Sequence, residues 1–274
     1  MHVGHSGYIR IRARCARGET AHRTGALSLL DEGSHRPWPL PEGPWVMAQT
    51  WHEVLFAHWP VPAEALQALI PAPLEMETYR GKAWIGVVPF RMTGVRPRSF
   101  PAVPGLSAFP ELNVRSYVRL DDKPGVFFFS LDAGNRVAVE LARRWFHLPY
   151  FHARMSLGAA GEWVRYASRR VHRGEPPAEF LGRFRPTGEV FRANRGTLEH
   201  WLTERYCLYA ADSERRIYRG EIHHRPWPLQ PAEAEIEVNS MTAPLGICLP
   251  DTPALWHFAR RLEVAVWSPR LASG

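Results

Sequence analysis

The apolar positions of this chain change spacing several times, and those changes predict its elements. Residues 83–92 carry Trp84, Val87 and Phe90 in a strand-like run, and residues 111–120 read as the next strand. Residues 125–132 pair with that second run across Asp121-Asp122-Lys123-Pro124, a sequence with good turn chemistry. Helical spacing appears in three places. Pro62 opens a short helix over 63–70 that Pro71 stops. Residues 135–147 place Val139, Ala142, Trp145 and Phe146 on one apolar face before Pro149 ends the run. Thr197 is an N-cap candidate for a helix carrying Leu198, Trp201, Leu202 and Tyr206 on one side. Strand-like runs fill the rest, at 151–157, 162–171, around Phe184 and Val190, and then at 207–210, 217–224, 234–238 and 262–267. The pattern predicts a mainly β domain with a few helices, an α+β class of largely antiparallel strands.

Residues 1–46 stand apart. They mix Gly, Ser, His, Arg and Pro without a period, so they are expected to form a disordered extension, with Met47 as a candidate start of translation and 47–274 as one domain. Hydrophobic content of 45% is enough for a sizeable core. No apolar run approaches the roughly 18 residues needed to span a bilayer, and no apolar segment follows the first arginines as in a secretory signal. The three cysteines, Cys15, Cys207 and Cys248, are odd in number and far apart, which fits a reducing, cytoplasmic compartment. The net charge is +7, but Lys82 and Lys123 are the only lysines. An arginine-rich balance of that kind follows from a GC-rich genome without selection for an anionic partner.

Strand alternation makes 109–118 the most informative segment. Glu111, Asn113, Arg115 and Tyr117 fall on one face; Leu112, Val114 and Val118 fall on the other. Glu111 and Arg115 are about 13 Å apart at strand rise, too far to neutralise one another. An acid, an amide, a guanidinium and a phenol in one row fit the wall of a polar pocket, and fit a solvated strand face as well. In the next strand Phe127, Phe129 and Leu131 share a face, with Phe128, Ser130 and Asp132 opposite, which marks it as central.

Motifs for phosphate-binding loops, dinucleotide binding, zinc hydrolases and serine nucleophile elbows are missing. His223 and His224 are neighbours on a strand and point to opposite faces, so no metal site and no cofactor is expected from them. Residues 165–195 hold eight arginines against three acids. Aromatic partners for base stacking are sparse there, so a solvated basic face is the better account than nucleic-acid binding.

Several segments resemble a family of bacterial proteins of unknown function typified by YqjF. They are residues 86–92 (GVVPFRM), 109–118 (FPELNVRSYV) and 125–133 (GVFFFSLDA), then Leu148-Pro149-Tyr150, Glu204-Arg205-Tyr206 and 224–230 (HRPWPLQ), in consistent order between Trp51 and Leu271. That family is similar in fold to acetoacetate decarboxylase. The resemblance implies an antiparallel, partly closed, cone-like β-barrel whose hollow interior receives alternate strand residues. It also implies that Tyr150 and Phe151 stand where the decarboxylase has two adjacent lysines, which removes the Schiff-base amine. Glu111 would match an acid inside the barrel. The expected site therefore has Glu111 and Tyr150 as acid–base groups and Asn113, Arg115 and Tyr117 as ligand contacts. Arg205, Tyr206 and His224 join them from strands expected to close the same cavity. The ligand class is a small anion, a carboxylate or carbonyl metabolite. A polar face satisfied within the protein is the alternative. Homo-oligomerisation is left open.

Overall fold

The expected strands are present except at Val190, where only an isolated bridge of Phe191 to Leu229 forms, and most extend beyond the segments that the pattern marks. The computed structural model describes residues 29–212 and 214–272. The elements run β1 (Met47–Val61), α1 (Ala63–Gln67), β2 (Glu75–Met76), β3 (Ala83–Pro97), β4 (Phe109–Leu120), β5 (Lys123–Ala133), α2 (Arg136–Phe146), β6 (Tyr150–Ala160), β7 (Trp163–Arg170) and β8 (Glu179–Pro186). They continue with α3 (Leu198–Thr203), β9 (Cys207–Ala211), β10 (Ile217–His223), β11 (Leu229–Asn239), β12 (Leu255–Val266) and β13 (Arg270–Leu271). Among the described residues, no helix is long and apolar enough to cross a membrane.

One sheet of thirteen strands holds the chain together, and its pairings close it twice. The larger ring is a nine-strand barrel, β5-β6-β7-β8-β11-β12-β1-β3-β4, closed by the β4–β5 hairpin. The smaller is a seven-strand ring that leaves β5 through β9 and β10 and returns at β12. The rings share five strands, β12, β1, β3, β4 and β5. Pairing is antiparallel except where β5 meets β6 and β9. The β5–β9 junction needs a glycine: a Cβ on Gly125 would lie 2.7 Å from the Cys207 carbonyl oxygen, which any side chain there would displace.

The shared strands have two buried faces. Leu112 and Val114 of β4 join Leu55, Val87 and Phe258 in a core completed by Tyr166, Phe180 and Phe184 from the far wall of the nine-strand barrel. That barrel is packed solid. The opposite face of the same strands looks into the seven-strand ring. A β-bulge changes the parity of β5, because Val114 pairs with Ser130 while Arg115 pairs with Phe128. Phe128 and Leu131, expected on opposite faces, consequently both line the cavity described below.

Residues 29–46 correct the expectation of disorder; residues 1–28 lie outside the described residues. Leu29 and Trp45 pack with Ala265 and Trp267. The Arg36 guanidinium donates to the Ile222 carbonyl at 2.6 Å and lies 4.7 Å from the Tyr206 ring centroid. Trp38 Nε1 donates to Glu221 at 2.9 Å. An aperiodic, Pro-rich segment is held by a few large anchors, which periodicity cannot detect.

Helix α2 also differs from its expected role. Asn135 Oδ1 caps it by accepting from the Val137 and Ala138 amides at 3.0 and 3.1 Å. Only Val139 of this helix is buried, and Trp145 is 67% exposed. The helix lies over the opening of the seven-strand ring, where Val139, Ala138 and Phe146 reach the packed core and Val137, Leu141 and Trp145 stay exposed.

Candidate functional site

The seven-strand ring encloses a cavity of about 330 Å³. Its wall is apolar over most of its height, with Phe56 from β1, Val88 and Phe90 from β3, and Phe128 from β5. Against this wall stand a few polar side chains: Glu111, Asn113 and Arg115 from β4, Tyr150 at the start of β6, Arg205 just before β9 and His224 just after β10. Six of the eight residues expected from sequence therefore line one space.

Glu111 is 3% exposed, and the Tyr150 hydroxyl donates to its Oε2 at 2.8 Å. Burial pushes the Glu111 carboxyl up to about 8, outweighing the Tyr150 hydrogen bond, so the group is a neutral acid at pH 7. The Tyr150 phenol is held well above its usual range by burial and by Glu111. Phe151 follows on the other side of the strand, 4.2 Å below the Arg170 guanidinium, as adjacent strand residues must.

Two guanidiniums meet at the floor. Arg205 donates Nε to the Trp201 carbonyl at 2.6 Å and Nη1 to Glu77, while its Nη2 has no partner within the protein. Arg115 is less well provided. Its hydrogen bond to the protein runs from Nη2 to the Leu202 carbonyl at a long 3.4 Å, and its Nε is buried without a partner. Among the ion pairs of the described residues, none includes Arg115. Asn113 Oδ1 is likewise buried and unpaired. The alternative of a self-satisfied Glu111–Asn113–Arg115 network does not describe this arrangement.

Tyr117 and Tyr206 need correction. Tyr117 shares the face of Arg115, but α3 covers it: its ring lies 4.6 Å from Trp201, and its hydroxyl is hydrogen-bonded to His58 Nε2 at 2.7 Å. Tyr206 points to the outside of the ring, where it stacks on His224 at 4.6 Å and its hydroxyl donates to Glu204. Sequence reasoning missed the wall contributed by β1, including Trp51, Val54 and Phe56. The alternation of β1 is broken where Glu53 takes a left-handed conformation, φ 53°, and its pairing with β3 shifts register.

Neither lysine reaches the cavity. Lys82 is exposed, and Lys123 Nζ donates to Glu221 at 2.7 Å outside the ring. Among the described residues, no group of three His, Cys, Asp or Glu side chains is placed to hold a metal ion. The arginine-rich segment is partly neutralised: Arg170 is buried against Asp132, and Arg183 and Arg185 pair with Glu235 and Glu233.

Known proteins share this architecture. An acetoacetate decarboxylase from Legionella pneumophila superposes with a TM-score of 0.56 at 13% identity, covering 96% of this chain and 98% of that one. The enduracididine biosynthesis enzyme MppR, in complex with pyruvate, gives 0.56 at 12% identity over 86% and 93% of the two chains. In sequence, the chain is 48% identical over 231 residues to the uncharacterized protein YqjF of Bacillus subtilis (strain 168), spanning 84% of this chain and 94% of that protein. The DUF2071 family, described as an uncharacterized conserved protein, matches residues 48–263, and this chain belongs to it.

Proposed function

We propose that the seven-strand ring binds a small carboxylate or carbonyl-bearing anion, with Arg115 as its anchor and Glu111 as a proton donor about 13 Å farther along β4. The observation that carries this reading is the guanidinium of Arg115, held in a mostly apolar cavity without a carboxylate partner. A guanidinium so placed is incompletely compensated, and its planar fork matches a carboxylate bidentately. Arg205 adds a second positive group, largely offset by Glu77. Glu111, its carboxyl raised to about 8 and one oxygen held by the Tyr150 hydroxyl, can give a proton to a polar group of a ligand long enough to reach it from Arg115. The fold supports the ligand class, since MppR has been seen with pyruvate. The chemistry differs from that of a lysine Schiff base, because no lysine lines this cavity.

The test is a titration followed by tryptophan fluorescence, with pyruvate and acetoacetate as probes. Saturable binding is expected, weakened about tenfold or more in Arg115→Met, the cost of losing hydrogen bonds to a charged group. The surface variant Arg183→Met should bind as the parent does. Equal affinity in Arg115→Met, or no saturable binding by either acid, overturns the proposal.

A further inference from the structure

Arg115 and Arg205 hold the charged end of the cavity, and farther along β4 Glu111, level with Phe90 and already hydrogen-bonded by Tyr150, is set into an otherwise mostly apolar shaft. The shaft rises past Val88, Phe90 and Met92 to an opening between α2 and residues 97–107. There the lining residues Val103, Leu106, Val137, Leu141 and Trp145 are all large, apolar and exposed. Among the described residues, ten large hydrophobic side chains are exposed, and these five gather at this one place. Val137, Leu141 and Trp145 are spaced four apart and so form a single stripe along α2. A surface of this kind marks a binding site rather than ordinary solvent-facing chain.

Size points the same way. A cavity of about 330 Å³ lies within the range of roughly 300–1,000 Å³ found for sites that bury drug-sized ligands. A three- or four-carbon acid held by Arg115 would leave the apolar shaft in contact with water. A ligand that matches both ends has one acidic head and a hydrocarbon body.

We propose that this site takes amphipathic acids, with the carboxylate at Arg115 and a linear hydrocarbon tail running up the shaft to lie under Leu141 and Trp145. This rests on the reading of Arg115 as the carboxylate anchor and adds the tail. It assigns α2 as a specificity element that touches the far end of the ligand, away from Arg115.

The experiment titrates the full chain with straight-chain acids from butanoate to decanoate and with the matching primary alcohols. Affinity of the acids should rise about fourfold per added methylene until the shaft is full. Arg115→Met should weaken every acid by a similar factor and leave that slope unchanged. The pair Leu141→Gln with Trp145→Glu should weaken decanoate about tenfold and leave butanoate unaffected. Both side chains are already exposed, so these changes spare the fold, and a circular dichroism spectrum matching the parent verifies it. Acids that all bind equally, or a slope that survives the α2 changes, overturn the tail and leave the carboxylate anchor standing. Alcohols that bind as tightly as acids overturn the anchor itself.

Discussion

The nine-strand barrel and the seven-strand ring share five strands, yet one is filled and the other hollow. The difference comes from what faces the shared wall. Across the larger barrel, β7 and β8 present Tyr166, Phe180 and Phe184, which meet Leu112 and Val114 and leave no room. Across the smaller ring stand β9, β10 and the poorly buried helix α2. Ring size does not decide which space stays open. The barrel with more strands has the aromatic side chains to fill it, and the ring with fewer keeps its polar groups in an open space.

Three measurements sharpen or break this contrast. The largest effect belongs to Glu111, whose carboxyl rises from 4.5 to about 8 on folding. A raised acid favours the folded state fully below its unfolded value and loses that contribution as pH climbs through the folded one. Denaturant midpoints should therefore fall between about pH 4.5 and 8 and level off above. At about 1.4 kcal/mol per unit the full drop is about 5 kcal/mol. Glu111→Gln should remove most of this dependence, and a parallel fall in the variant would place the titrating group elsewhere.

Next come two phenylalanines of equal size on opposite sides of the wall. Phe184→Ala, in the filled barrel, should cost about 3–5 kcal/mol, because it removes contacts and leaves a new void. Phe90→Ala, at 4% exposure beside the existing cavity, should cost about 2 kcal/mol, mainly the transfer contribution. Equal costs in denaturant titrations would mean that the two spaces are packed alike. The smallest effect is expected at Arg183, whose pairing with Glu235 is half exposed to solvent. Arg183→Ala should change stability by less than about 1 kcal/mol, and a larger loss would give the outer face of β8 a role that the contrast denies it.

Much of the wall was legible in the sequence because alternation is local. The pattern of β4 separated Glu111, Asn113 and Arg115 from Leu112 and Val114 correctly. The family resemblance brought Tyr150 to the same place. What was not legible depends on contacts between distant segments. The second ring arises from two short junctions, β5 with β9 and β10 with β12, each of two residue pairs. The burial of Tyr117 depends on where α3 comes to rest. Leu29, Arg36 and Trp45 read as isolated residues in a Pro-rich stretch until β10 and β12 supply their partners.

A sheet with one wet face can absorb a misaligned strand, or a change on its outer side, at modest cost. The wall common to both rings has no such side. A slip of one residue in β4 would push Glu111 and Arg115 into the packed barrel and turn Leu112 and Val114 toward the cavity floor, so a single error would spoil folding and ligand recognition together. Most positions along these strands answer to one demand or the other, and insertions or deletions among them have nowhere harmless to go.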